Sequence, residues 1–252
     1  MQLGLVTYNV AKDWDVETII QKLEAARFEL VELRTTHKHG VEPSLSRQER
    51  ERLRDRFNRS KIKLLSYGTI CEFHSPDTAV REKNVADCKA FIELAHDTGA
   101  LGVKVRPNAF PDGVPRDTTI ERIGESLRVC GEYGARYGVE VWVEVHGRET
   151  QNPPNMAAMM KACRHPQVGI CWNSNPPDVV NGSVAQSFEL LRPYLKSCHI
   201  NELSNAYPWR ELFTLMRKTG YDRWTLAEVQ ESREPDRFLG YYRALWTELN
   251  RA

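Results

Sequence analysis

The segment from residue 139 to residue 147 reads VEVWVEVHG and carries reactive side chains near its C-terminal end. Its alternating valines predict a buried strand. Glu144 and His146 share one face of that strand, because successive side chains of a strand point to opposite faces. A carboxylate beside an imidazole could transfer protons or bind a metal ion. We therefore expect this strand end to belong to a reactive site.

Other strand-like segments end in the same kinds of side chain. Carboxylates and amide oxygens suit Mn²⁺ or Mg²⁺, and one imidazole among them favours Mn²⁺, Co²⁺ or Zn²⁺. The set therefore predicts a divalent-metal site, with Mn²⁺ the best match. The polar residues at or just beyond strand ends are Glu32 and Arg34, Glu72 and His74, Lys104 and Arg106, Glu144 and His146, Asn173 and Asn175, His199, Asn201 and Glu202, and Glu228.

The elements that must position these residues alternate in type along the chain. Segments with apolar residues at helical spacing separate the strand-like runs, and glycines follow several of them. Eight such β-then-α units predict a single (β/α)8 TIM barrel, with one domain over residues 1–252. A doubly wound sheet is the alternative, but no G-x-G-x-x-G turn follows the first strand. The predicted strands are 3–9, 29–34, 63–68, 102–106, 139–145, 168–173, 196–201 and 224–229.

Composition narrows the classes of function. The 252 residues include 35 Lys and Arg against 34 Asp and Glu, a formal net charge of +1, which disfavours a nucleic-acid partner. No basic leader and no run of about 18 apolar residues occurs, so we expect a cytoplasmic protein without a membrane partner. The six scattered cysteines form no C-x-x-C pair and are expected to be reduced and buried. The oligomeric state stays open, and a homo-oligomer is compatible with the sequence.

The order and spacing of these segments resemble the xylose-isomerase-like barrel superfamily over nearly the whole chain. That superfamily includes sugar-phosphate isomerases and epimerases, ketohexose 3-epimerases, inosose dehydratases and apurinic endonucleases. Each motif is weak alone, and their joint order carries the resemblance. The motifs are FELVELRTTHKHGVEPSLS at 28–46, CEFHSPD at 71–77, AFIELAHDTGALGVKVRP at 90–107, VWVEVHG at 141–147, VGICWNSNP at 168–176, SCHINE at 197–202 and WTLAEVQ at 224–230.

The resemblance implies a metal site at four consecutive strand ends. Its epimerase branch holds the metal with Glu, Asp, His and Glu on strands five to eight, which correspond here to Glu144, Asn173, His199 and Glu228. This chain departs from the pattern with Asn in place of Asp, and without the histidine that usually follows. A neutral amide oxygen weakens the electrostatic attraction for a cation. His146 could compensate with its imidazole.

Such a site could abstract a proton next to a carbonyl, with Glu144 and Glu228 as the acid and base. Return of the proton from the opposite face would make an epimerase, return to the neighbouring carbon an isomerase, and loss of a β-substituent a lyase or dehydratase. The Asn for Asp exchange also leaves open a carbohydrate-binding barrel without metal. An apurinic endonuclease is disfavoured, because its three-zinc ligand set and basic groove are not visible.

Five further residues are candidates for contact with a sugar or sugar derivative: His146, Arg106, Glu202, Trp172 and Asn175. Arg106 could hold a substrate phosphate or carboxylate, or pair with a glutamate. Trp172 could stack on a sugar face or belong to the barrel wall. Glu202 could orient an imidazole, or be an ordinary loop charge.

Overall fold

The computed structural model describes residues 1–251, and within them eight parallel strands alternate with helices. The strands are β1 (Gln2–Val6), β2 (Leu30–Arg34), β3 (Lys63–Glu72), β4 (Gly102–Arg106), β5 (Glu140–Glu144), β6 (Val168–Trp172), β7 (Leu195–Ile200) and β8 (Trp224–Ala227). The helices are α1 (Tyr8–Ala11), α2 (Val16–Ala25), α3 (Arg47–Asn58), α4 (Thr78–Thr98), α5 (Arg116–Tyr137), α6 (Pro153–Cys163), α7 (Ala185–Leu191), α8 (Trp209–Lys218) and α9 (Pro235–Leu249), with 3₁₀ turns at Pro176–Asp178 and Arg192–Tyr194.

The strands close into a barrel in chain order. Each strand pairs in parallel with the next, and β8 pairs with β1, so that Gly4 lies opposite both Leu30 and Leu226. This confirms the predicted single (β/α)8 barrel. Because all strands run the same way, their C-terminal ends and the loops that follow them meet at one end of the barrel.

The eight predicted strands are all present, and their ends differ most from the prediction in β3 and β1. Strand β3 continues to Glu72, beyond the predicted end at Gly68, because it pairs with β4 up to Arg106. Strand β1 stops at Val6, and Tyr8 begins the one-turn helix α1 instead of completing the strand. The domain prediction of 1–252 stays a prediction, and Ala252 lies outside the described residues.

Most of the apolar core lies between the strands and the surrounding helices. A smaller cluster fills the inside of the barrel, where Trp142 packs against Trp224 with ring centroids 5.4 Å apart. The other buried members of this inner cluster are Val6, Leu30, Leu65, Cys171 and Leu226. Polar side chains follow above them toward the C-terminal strand ends. The barrel interior therefore has an apolar layer, with charged side chains between that layer and the C-terminal strand ends.

The predicted helix stop signals are confirmed where glycine ends a helix. Gly99 and Gly138 cap α4 and α5 in the left-handed conformation, with φ of 80° and 69°. Asp77 in the SPD sequence caps the start of α4 by accepting a hydrogen bond from the Ala79 amide at 2.8 Å. These local signals fix where the chain turns back toward the next strand.

No helix between residues 1 and 251 combines the length and hydropathy that a membrane crossing requires. The predicted cytoplasmic location stays a prediction. The six cysteines are all buried, and within the described residues none forms a disulfide, as the sequence predicts.

Candidate functional site

A cavity of about 420 Å³ opens at the C-terminal end of the barrel. Its lining comes from seven of the eight strands or the segments that follow them, and almost every lining residue is polar. The lining residues are Tyr8, Arg34, Lys104, Arg106, Glu144, His146, Asn173, Asn175, Asn201, Glu228 and Gln230. The sequence prediction that polar strand ends converge here therefore agrees with this geometry.

Glu144 at the end of β5 is buried and pairs with a buried lysine. The Lys104 Nζ donates to Glu144 Oε2 at 2.5 Å, and both side chains are less than 5% exposed. Burial alone would raise the pKa of Glu144, but the Lys104 ammonium, with smaller contributions from His199 and His146, lowers that pKa to about 2. Glu144 is therefore a carboxylate at neutral pH, and Lys104 keeps its proton.

His199 on β7 lies between acidic groups on both sides of its ring. Its Nε2 is 3.2 Å from Glu32 Oε1, while its Nδ1 is 3.5 Å from Glu228 Oε2 and 3.9 Å from Glu144 Oε1. Neither ring nitrogen has a hydrogen bond within the described residues. With the proton on Nε2, facing Glu32, the Nδ1 lone pair points toward the two other glutamates.

Glu144, His199 and Glu228 present ligand atoms that all lie within 4.8 Å of one another. Glu228 follows β8 and is the most accessible of the three, with 18% of its side chain exposed toward the cavity. Oxygen, nitrogen and oxygen ligands at this separation are a donor set that a divalent cation can use.

Glu32 on β2 completes the floor of the site. It is fully buried, accepts a hydrogen bond from Ser66 Oγ at 2.8 Å through Oε2, and leaves Oε1 facing His199. Burial alone would raise the pKa of Glu32, but His199 and Lys104 lower it, so this residue is also ionised. A carboxylate behind an imidazole fixes the tautomer and orientation of a histidine that binds metal.

These residues fit a divalent metal ion in two ways: they carry net negative charge, and a buried ring nitrogen of His199 has no hydrogen-bond partner among the described residues. Burial alone would lower the pKa of His199, but Cys171, Glu32 and Glu228 raise it, so a cation would displace a proton from its ring. With His199 then neutral, the three carboxylates of Glu32, Glu144 and Glu228 face the single ammonium of Lys104. The remaining negative charge is what one divalent cation neutralises. The buried His199 Nδ1, which has no hydrogen-bond partner among the described residues, is then the natural nitrogen ligand.

Residues 20–244 match the family model described as a xylose isomerase-like TIM barrel. The chain belongs to the xylose isomerase-like TIM barrel family. No curated protein matches its sequence. The family assignment and the closed barrel agree with each other, and they confirm the resemblance seen in the sequence.

Several solved structures share this fold, and two of those described next are sugar epimerases. D-psicose 3-epimerase from Clostridium cellulolyticum H10, solved with D-tagatose, aligns with a TM-score of 0.84 at 14% identity over 100% of both chains. The 3-keto-D-glucoside 4-epimerase of E. coli gives 0.81 at 15% identity, covering 99% of this chain and 98% of its own. The IOLI protein with a bound zinc atom gives 0.79 at 12%, covering 99% and 96%. At these identities the likeness shows the fold.

Most of the other residues that the sequence predicts to contact a metal ion or a sugar lie at the rim of the cavity. Arg106 Nη2 donates to Glu72 Oε1 at 2.6 Å, which is one of the two roles left open by the sequence, while its contact with a substrate stays a prediction. His146 lines the cavity, and its buried Nδ1 has no hydrogen-bond partner in residues 1–251. Asn173 also lines the cavity, directly after β6. Each of the three therefore lines the same cavity as Glu144 and Glu228.

Asn175 lines the cavity too, but its side chain is already engaged. Its Nδ2 donates to the Val145 carbonyl at 2.5 Å, and its backbone amide donates to Asp178 Oδ2 at 2.7 Å. Asn175 therefore ties the loop after β6 to the end of β5. This contact holds Asn173 and Glu144 on neighbouring strand ends.

Trp172 and Glu202 are absent from the cavity lining formed by the described residues. Cys171 lies inside the barrel, so strand alternation turns Trp172 outward, where its ring packs on Phe188 and its Nε1 donates to Tyr207 Oη at 3.0 Å. Glu202 lies one residue beyond Asn201, which does line the cavity. Trp172 is therefore part of the barrel wall, which is one of the two roles left open by the sequence, and the role of Glu202 stays a prediction.

Sequence reasoning assigns no role to Glu32 and treats Lys104 as a structural partner. The signal for both is a charged residue at an inward position of a buried strand, in ELVELR and GVKVR. Such a position predicts burial, and a buried charge needs a partner or a ligand. The identity of that partner depends on which strands face each other across the barrel.

Proposed function

We propose that this protein is a divalent-metal-dependent epimerase or isomerase of a sugar or keto-sugar. The observation that carries the proposal is the convergence of Glu144, His199 Nδ1 and Glu228, with Glu32 placed to hold the opposite ring nitrogen. A bound divalent cation would hold two neighbouring oxygens of a sugar and acidify the C–H between them. Asn173, in the same cavity, is the fourth proposed ligand.

The two glutamates differ in their fitness for proton transfer. Glu144 is held ionised by Lys104 at 2.5 Å, which makes it a weak base and suits it to hold a cation. Glu228 is more accessible and has no lysine or arginine within 4.0 Å among the described residues. We therefore assign proton abstraction to Glu228 and cation binding chiefly to Glu144. To return a proton at the opposite face, Glu144 would first take one up from solvent, while Glu228 releases the abstracted proton to solvent.

The metal that we propose is Mn²⁺, because the donor set joins carboxylates and an amide with one imidazole. Zn²⁺, Co²⁺ and Mg²⁺ are the alternatives, and the likeness to a zinc-containing barrel supports a divalent cation in general. The substrate is a small sugar derivative, since the cavity of about 420 Å³ accommodates a monosaccharide and its lining is polar. His146, Arg106 and Asn175 line the same cavity as proposed substrate contacts.

The proposal is tested by hydrogen exchange into sugars. The Mn²⁺-loaded protein is incubated in deuterium oxide with a panel of ketoses, including D-tagatose, D-psicose and L-ribulose, and followed by NMR. Deuterium at the carbon next to the carbonyl, with appearance of the epimer or the aldose, is the expected result. Loss of water would instead identify a dehydratase. No exchange in any sugar, together with no Mn²⁺ binding by calorimetry, would overturn the proposal.

One observation favours a second candidate, a carbohydrate-binding barrel without metal. Lys104 already neutralises Glu144, and Asn173 contributes no charge where the family pattern has a carboxylate. The same Mn²⁺ titration separates the two candidates. Less than about a tenth of an equivalent bound, with a sugar still bound, would favour the binding protein.

A further inference from the structure

The two arginines at the rim of the cavity differ in what surrounds them. Arg106 is paired with Glu72 at 2.6 Å, so a nearby carboxylate neutralises its charge. Arg34, at the end of β2, lines the same cavity and is only partly exposed, yet no carboxylate of the described residues lies within 4.0 Å of its guanidinium. The predicted anion-binding role of Arg106 therefore fits Arg34 better.

The backbone of Arg34 is held rigidly from both sides. Its amide donates to Thr7 Oγ1 at 2.9 Å, and its carbonyl accepts from His39 Nε2 at 2.8 Å. His39 Nδ1 in turn accepts from the Val41 amide at 3.0 Å, which places the ring hydrogen on Nε2. The loop after β2 therefore serves to fix Arg34 at the end of its strand.

The side chain of Arg34 has neighbours on α1 and β3. Its guanidinium lies over the ring of Tyr8, 5.0 Å from the centroid, which supports the cation without neutralising it. Gly68 on β3 lies alongside, where a Cβ would make an ordinary contact with Arg34 Cγ at 3.5 Å but would crowd Glu32 Oε1 at 2.8 Å. The guanidinium thus remains available to a ligand in the cavity.

We propose that Arg34 binds an oxyanion on the substrate, a carboxylate or a phosphate ester, while the Glu144–His199–Glu228 group holds the reacting oxygens. This rests on the proposed function and names its substrate class as an acidic sugar derivative. A planar guanidinium matches a carboxylate or phosphate with two parallel hydrogen bonds. A partly buried cation without a counter-charge is stabilised by such a ligand, and a neutral sugar would leave it uncompensated.

The test compares Arg34→Gln with a matched control. Arg52, exposed on α3, also has no carboxylate within 4.0 Å in the described chain, so Arg52→Gln removes the same charge outside the cavity. Inorganic phosphate and malonate are titrated by calorimetry into metal-free protein, which prevents the anions from binding a metal. We expect at least tenfold weaker anion binding in Arg34→Gln, a smaller loss in Arg34→Lys, and no change in Arg52→Gln.

The two anions distinguish the two sources of the charge. Preference for phosphate identifies a sugar phosphate, and preference for malonate identifies a sugar acid. Equal anion affinities in the wild type, Arg34→Gln and Arg52→Gln would overturn the inference, as would no binding of either anion to the wild type. Mn²⁺ titrated separately should bind the wild type and Arg34→Gln equally. Absence of Mn²⁺ binding would instead count against the proposed function.

Discussion

The two ends of the barrel each carry a group of charged side chains, and the two groups differ in whether the oxygens of their buried carboxylates are satisfied. At the N-terminal end, Glu140 Oε1 pairs with Lys196 at 3.2 Å, while Oε2 accepts from Arg223 Nη2 at 2.5 Å and from Trp142 Nε1 at 2.7 Å. Both oxygens of Glu140 are therefore satisfied by the protein itself. This end of the barrel is closed by ion pairs.

At the C-terminal end the charged side chains also lie close together, but several of their buried polar atoms have no hydrogen-bond partner among the described residues. Glu32 Oε1 and both ring nitrogens of His199 are buried and have no hydrogen-bond partner among the described residues. Unsatisfied buried polar atoms destabilise a protein unless a ligand or an ordered water meets them. A group of charges thus marks a binding site when its bonding is incomplete, and a structural contact when it is complete.

Strand β5 supplies one carboxylate to each end. Glu140 and Glu144 lie on the same face of VEVWVEV, four residues apart, and they have the same chemistry. Their neighbours across the barrel give one a structural role and the other a place in the candidate site. The predictions below test this difference, from the largest expected effect to the smallest.

Removal of the buried lysine should have the largest effect on stability. In metal-free protein we expect Lys104→Met to lower the free energy of unfolding by about 3–5 kcal/mol, because Glu144 is left buried and unpaired. Adding Glu144→Gln should restore much of the loss. At the other end, Lys196→Met should cost only about 1 kcal/mol, since Glu140 keeps Arg223 and is partly exposed. Urea unfolding measures all three, and equal losses for the two lysines would contradict the comparison.

Substitutions of glutamates at the two ends of the barrel should also differ in their effect on catalysis. We expect Glu144→Gln and Glu228→Gln each to lose more than about a hundredfold in deuterium exchange into a ketose, because each removes a ligand charge and a proton acceptor. Glu140→Gln is the control on the same strand, and its exchange rate should stay within about twofold of wild type. Circular dichroism checks that each variant is folded. Near wild-type exchange in Glu144→Gln or Glu228→Gln would remove that residue from the proposed mechanism.

Asp178 extends the comparison to a buried carboxylate without a cationic partner, since no lysine or arginine lies within 4.0 Å of it in the described chain. Burial raises its pKa to about 7, although the Asn175 amide and Tyr207 hydroxyl donate to it. The folded pKa exceeds the unfolded one, so the stability that Asp178 contributes is present at acid pH and is lost as the pH rises toward 7. We expect the stability of Asp178→Asn relative to wild type to increase by roughly 2–3 kcal/mol from pH 5 to pH 8. A difference independent of pH, measured by urea unfolding, would show that Asp178 titrates normally.

The smallest effect concerns Asn173, where the family pattern has an aspartate. If its amide oxygen binds the metal, Asn173→Asp should tighten Mn²⁺ binding about tenfold by adding a carboxylate, and Asn173→Ala should weaken it. Activity should fall or stay level in Asn173→Asp, because the added charge opposes the negative charge developing on the substrate. Equal Mn²⁺ affinities of the three forms by calorimetry would show that residue 173 is no ligand, and would make His146 the next candidate.

The sequence by itself predicts the barrel and most of the residues around its mouth. Local sequence patterns are sufficient to predict the strands and helices, because the alternation in VEVWVEV and the glycines after helices involve only neighbouring residues. Strand alternation also places Glu144 and His146 on one face, and the fold brings the ends of all strands together. The polar lining of the cavity follows from these two rules, and so does most of the proposed ligand set.

Only the tertiary structure decides which charges are paired and which stay free. Lys104 and Glu144 are 40 residues apart in the chain, and Arg106 and Glu72 are 34 apart, so their contacts depend on the register between adjacent strands. The placement of His199 between Glu32 and Glu228 depends likewise on which strands face each other across the barrel. Strand register also pairs Arg106 with a carboxylate and gives Arg34 none. Ion pairs between strands depend on this register, and no local sequence pattern encodes it.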